Sequence, residues 1–118
     1  MAILLLSGDL LFSSRVAGVA QRLGTHVKTV ATPQALIESL AAEEPRSLVL
    51  LDLNAFGWNL AEWVPQIRDA AQPPRAILAY GPHVHTQRLE DATTAGCDEV
   101  LTRGQFNAQM DTVLARHV

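Results

Sequence analysis

Ser47-Leu48-Val49-Leu50-Leu51-Asp52-Leu53-Asn54-Ala55-Phe56-Gly57 is an apolar run that ends in a carboxylate and a glycine-bearing turn. A strand covered by helices on both faces is apolar throughout, and its polar residue stands where the chain leaves the sheet. The run therefore reads as a buried parallel strand, with Asp52 at the carboxyl edge of a sheet. In open α/β sheets this edge is where ligands and chemistry are found.

Outward from this strand, short apolar runs alternate with helical patterns, as expected of a parallel sheet with crossover helices. The spacing predicts strands over Ala2 to Leu6, His26 to Ala31, Ser47 to Leu53, Ala76 to Tyr80 and Glu99 to Thr102. Phe12, Val16, Val19, Ala20 and Leu23 recur at helical spacing after the first strand, and Gly24 supplies a stop. Thr32 is placed to cap a second helix, with Pro33 at its first position, where no amide hydrogen is needed. Leu60, Val64, Ile67 and Ala71 mark a third helix that contains Pro65. A start at Asn59, with Glu62 completing a capping box, puts that proline inside the helix at a cost of roughly 3 kcal/mol; a later start near Glu62 avoids the conflict. A thinly apolar fourth helix runs from Thr86 to Ala95 and ends at Gly96. A last helix places Phe106, Met110, Val113, Leu114 and His117 on one stripe. The order is (βα)5.

Composition narrows the function. At 118 residues, 48% of them hydrophobic, the chain is long enough for one sheet with helices on both sides and too short for a second core, so residues 1–118 form a single domain. The net charge of −3 comes without a basic cluster, since Lys28 and eight arginines are scattered along the chain, which argues against nucleic acid as a partner. The lone cysteine, Cys97, leaves no disulfide framework or cysteine-based zinc site; it reads as a buried core thiol. The opening Met1 to Leu6 lacks a basic leader and meets Asp9 early, so it reads as a strand and not a signal segment. No apolar run reaches the roughly 18 residues of a membrane span. The expected location is the cytoplasm.

The order of elements resembles the receiver domain of bacterial response regulators, over essentially the whole chain. Leu48 to Gly57 is similar to that family's third strand and loop, with Asp52 at the phosphoacceptor position and Gly57 at the usual glycine. Ala95-Gly96-Cys97-Asp98-Glu99-Val100-Leu101-Thr102 resembles the stretch before the final strand's lysine. The resemblance implies a flavodoxin-like three-layer sandwich around a five-stranded parallel sheet of order 2-1-3-4-5.

It also implies an active-site set that this chain largely lacks. The acidic pair after the first strand aligns with Ser7 and Gly8, followed by Asp9. The Ser/Thr position falls between Ala79 and Gly81, where Ala79, Tyr80 and Gly81 all fail to match. The lysine is Arg103, the proline after it is Gly104, and the proline of the loop after Asp52 is Phe56. Aspartyl phosphorylation needs Mg²⁺ in near-octahedral oxygen ligation. Asp52, the Asn54 carbonyl and Asp9 are the oxygens left to supply it, so Mg²⁺ binding is expected to be weak or absent and no other cofactor is implied. An arginine at position 103 holds a carboxylate through a planar fork, and the expected partner is Asp52.

Structural readings stand beside these. Asp52 can accept amide hydrogen bonds from its own loop, and Asp9 can cap the first helix. His83 and His85 lack a clear third ligand for a metal. Trp63 belongs to the core or its edge, whereas Phe56 and Trp58 either fold over the site or form a partner contact. The reading that follows is a stand-alone, degenerate receiver-like domain, a pseudo-receiver without enzymatic activity. It acts in signalling or regulation through protein partners or as a homodimer, with no output domain after the fifth helix. The alternatives are a working two-component phosphoacceptor at Asp52, and a small-ligand or metal site built from Asp9, Asp52, His83 and Arg103.

Overall fold

The structure is a computed structural model that describes residues 2–42, 46–54 and 59–117. Five strands, β1 (Ala2–Leu6), β2 (Val27–Val30), β3 (Arg46–Asp52), β4 (Ala76–Gly81) and β5 (Glu99–Thr102), form an all-parallel sheet of order β2-β1-β3-β4-β5. The helices between and after them are α1 (Leu10–Arg22), α2 (Pro33–Ala42), α3 (Leu60–Arg68), α4 (Thr86–Ala95), α5 (Arg103–Ala108) and α6 (Met110–Ala115).

Alternation of side chains along each strand divides the core in two. Ile3, Leu5, Leu48, Leu50, Leu78 and Tyr80 pack beneath Phe12, Val16 and Val19 of α1 and Phe106, Met110 and Leu114 of α5 and α6. The alternate residues Leu4, Leu6, Val49, Leu51, Ile77 and Ala79 pack beneath α2, α3 and α4. The three inner strands are apolar throughout because both of their faces are covered, which is the three-layer arrangement expected.

Local chemistry sets the helix ends. Thr32 Oγ accepts from the Ala35 amide at 3.1 Å, and Gly24 and Gly96 take the left-handed conformation that follows a helix. One open choice is decided and two expectations need correction. Of the two starts left open for the helix after the third strand, the structure takes the one at Asn59, whose Oδ1 accepts from the Ala61 amide at 3.0 Å ahead of Leu60. Pro65 therefore sits inside α3; the burial of Leu60, Val64 and Ile67, roughly 1.5–3 kcal/mol each, outweighs its cost of about 3 kcal/mol. The last helix is two helices with a break at Gln109, although Phe106, Met110, Val113 and Leu114 all reach the core. Cys97 is only partly buried, and desolvation there, opposed by Arg68 and reinforced by Asp98, pushes its thiol up to about 11.

Candidate functional site

The parity that builds the core also builds the site. Continuing the β1 alternation Ile3, Leu5 brings Ser7 to the α1 face. Leu48 and Leu50 likewise lead to Asp52, and Leu78 leads to Tyr80. Because β1, β3 and β4 are neighbours, these three residues stand side by side at the carboxyl edge, with Asp52 and Tyr80 paired in register.

Both oxygens of Asp52 are occupied. Ser7 Oγ donates to Oδ2 at 2.7 Å, and the Asn54 amide donates to Oδ1 at 2.9 Å. The carboxylate is 7% exposed and depends on these two donors. The Ser7 hydroxyl also accepts from the Asp9 amide at 3.0 Å. Ser7, at a position where the resemblance implies an acid, is thus a hydrogen-bond donor to the aspartate.

Asp9 turns away from Asp52. Its Oδ1 accepts from the Phe12 amide at 3.0 Å and caps α1, and its Oδ2 takes Nη2 of Arg103 at 2.6 Å. The Phe12 amide is the largest influence and, together with the Arg103 hydrogen bond and charge, holds its carboxyl below the usual range; desolvation, second in size, opposes them. The expected pairing of Arg103 with Asp52 is therefore corrected: the arginine pairs with Asp9. The physical reason is position: the guanidinium lies over the Phe12 ring, 4.8 Å from its centroid, on the side of α1 that Asp9 caps, while Asp52 takes its donors from Ser7 and Asn54.

Tyr80 is 1% exposed. Its ring stacks on Phe12 at 5.0 Å and tilts against Phe106 at 5.0 Å, and its hydroxyl makes no hydrogen bond of good geometry among the described residues. Burial and then the charge of Asp52 push the phenol well above its usual range, with Ser7 near enough to ease the shift. Ala79 points to the other core face, and Gly81 closely approaches Leu53, where an added Cβ would meet the Leu53 Cβ at 3.0 Å. Gly8 has open space around it.

Mg²⁺ is a poor match for these residues. It requires oxygens arranged octahedrally, yet the Asp52 oxygens and the Ser7 hydroxyl bond one another or backbone amides, and Asp9 is held against a guanidinium. No group of three or more acidic, histidine or cysteine side chains among the described residues could hold a metal. His83 and His85 are not brought to Asp52 by any hydrogen bond among the described residues. Trp63 is half-buried, and the expectations for Phe56, Gly57 and Trp58 lie outside the described residues. The sequence named Tyr80 only within a range and missed Phe12 as the surface under Arg103; counting strand parity from Leu50 and Leu78 would have aligned Tyr80 with Asp52.

No protein-family model and no curated protein matches the chain. Solved structures do. The receiver domain of sensor histidine kinase PA1611 from Pseudomonas aeruginosa, solved with magnesium coordinated in its active-site cleft, is 19% identical over 98% of this chain and 95% of that one, with a TM-score of 0.80. The response-regulator signal receiver domain from Bermanella marisrubri is 20% identical over 98% and 96%, with a TM-score of 0.81. Chemotaxis response regulator CheY4 of Vibrio cholerae is 18% identical over 100% and 99%, with a TM-score of 0.79. At these identities the likeness is one of architecture: the chain has the fold of response-regulator receiver domains.

Proposed function

We infer that this chain is a degenerate receiver-like domain that works in signalling or regulation by binding protein partners, without aspartyl phosphorylation as its switch and without enzymatic activity of its own. The observation that carries the reading is the state of Asp52, whose two oxygens accept from Ser7 and from the Asn54 amide. A phosphoryl acceptor needs a free carboxylate oxygen and a cation beside it. Here Ser7 supplies a hydroxyl proton instead of a charge, and Asp9 is already paired with Arg103.

Self-association is the second part of the reading. β5 is an edge strand, and beside it Leu89 of α4 and Val100 and Leu101 of β5 are only partly buried around a shallow cavity of about 230 Å³. A half-covered edge of this kind suits pairing with a second copy. Among the described residues no helix is long and apolar enough to cross a membrane, and the proposed location is the cytoplasm.

Intact-mass measurement after incubation with Mg²⁺ and a small phosphodonor tests the reading. No mass gain is expected. A gain of one phosphoryl group that disappears in Asp52→Asn would overturn it in favour of a working phosphoacceptor.

A further inference from the structure

We propose that α4 is a strap that swings open from its first turn about a hinge at Gly96, with Arg88 as its clasp. The proposal goes beyond the interaction-module reading by giving the module a moving element.

The core holds α4 weakly. Ala92 is its one fully buried residue, and Leu89 and Ala95 are only partly buried against the sheet, whereas α1 buries Phe12, Val16, Val19 and Ala20 and α3 buries Leu60, Val64 and Ile67. Elements that bury few apolar side chains open at a lower free energy than the core.

The two ends of α4 are held differently. At the C-terminal end Gly96 takes the left-handed conformation, and its carbonyl accepts from Arg68 Nη2 of α3 at 2.8 Å. The same nitrogen meets Asp98 Oδ2 at 2.8 Å, and Asp98 is tied twice to β4: its amide donates to the Ile77 carbonyl at 2.8 Å, and its Oδ2 accepts from the Ile77 amide at 2.7 Å. This end is anchored.

The N-terminal end lacks such anchors. His85 stands at the cap position without a side-chain capping bond, and the first turn carries no acid to complement its amides. Its Nδ1 is buried with no hydrogen-bond partner among the described residues, a cost of the closed form that water relieves on opening. The side-chain bond that ties this turn to another element is Arg88 Nη1 to the Leu53 carbonyl, at 3.0 Å. Leu53 is a firm anchor point. Its amide donates to the Tyr80 carbonyl at 2.8 Å, and its Cβ lies so close to Gly81 that an added carbon there would meet it at 3.0 Å.

Opening from this end uncovers Ala92, Leu89 and the Ala79 face of the core, next to the half-covered edge at Val100. The surface offered to a partner is then set by Arg88.

Amide hydrogen exchange of the whole chain tests the proposal. In the parent chain α4 should exchange ahead of β1 and β3. Arg88→Met should speed exchange over residues 88–92 at least about fivefold and leave β1 and β3 unchanged. His85→Ser, which removes the orphan nitrogen and supplies a capping hydroxyl, should slow the same amides. Asp52→Asn should leave them as they are. Protection of α4 equal to that of β1 and β3, an acceleration shared by the whole molecule, or one centred on Ala95 to Asp98 would overturn the proposal, as would no effect of Arg88→Met or an equal effect of Asp52→Asn. Phosphorylation of Asp52 is read separately by mass, so the module reading and the strap fail independently.

Discussion

The Ser7 hydroxyl donates to Asp52 Oδ2 at 2.7 Å across the seam between β1 and β3. The bond joins residues 45 positions apart, and both are buried. It sets a neutral hydroxyl donor on a buried carboxylate at the position where a receiver is expected to gather negative charge.

Ser7→Ala leaves Asp52 with one donor fewer in a buried site, so a loss of about 1.5–3 kcal/mol is expected, at the upper range for hydrogen bonds to a charged group. Urea denaturation of Ser7→Ala, Asp52→Asn and the double variant measures the coupling. Additive effects would show that the bond does not form in solution.

Arg103 and Asp9 form a partly exposed pair, so Arg103→Met should cost under about 1 kcal/mol and couple to Asp9→Asn but not to Asp52→Asn. The acid response follows from the direction of the Asp9 shift. Its folded-state pKa is lowered, chiefly by the Phe12 amide, so its stabilising contribution is complete above the unfolded-state value of about 3.9 and is lost as pH falls through the folded value. Thermal melts of Asp9→Asn and the parent chain between neutral and strongly acidic pH should therefore converge at the acid end. A parallel offset at every pH would show that the charge of Asp9 does not matter.

Tyr80 offers a change in the opposite direction. Its hydroxyl is buried without a hydrogen-bond partner among the described residues, while its ring packs between Phe12 and Phe106. Tyr80→Phe keeps the ring contacts and removes a desolvated polar group whose burial costs about 1–3 kcal/mol, so stability is expected to rise by about 1 kcal/mol. A drop in the denaturation midpoint would mean that the hydroxyl finds a partner.

The strand that ends in Asp52 was legible because burial on both faces writes itself into sequence as an unbroken apolar run. The order of elements followed from the alternation of such runs with helical spacing. Arg103 was harder. Its reach was clear, but its partner depended on where the guanidinium came to rest, over the Phe12 ring on the side of α1 that Asp9 caps. The break at Gln109 left no mark on the stripe from Phe106 to Leu114, because two short helices in line bury the same residues as one. Pro65 warned of a late helix start; tertiary burial of Leu60 overrode it. The exposed leucines of α1 were invisible for a related reason, since Leu10 and Leu11 stand beside core residues in sequence and part from them only in helical phase.

Restoring charge at the edge tests the proposal that the missing acidic pair is what denies Mg²⁺ to Asp52. Gly8 has open space where a Cβ would stand and no left-handed backbone to forbid one, and Ser7 is already within bonding distance of Asp52. Ser7→Asp with Gly8→Asp would bring two further carboxylates beside Asp52, and like charges held that closely oppose one another's ionisation and the folded state. The double variant should therefore be less stable than the parent chain without metal. Its melting temperature should then rise with Mg²⁺ concentration, since a cation that binds only the folded chain stabilises it by mass action. The parent chain should show no such rise. If the variant is destabilised but does not respond to Mg²⁺, an acidic pair at these positions does not by itself create a metal site, and the Arg103–Asp9 pair becomes the element to remove next.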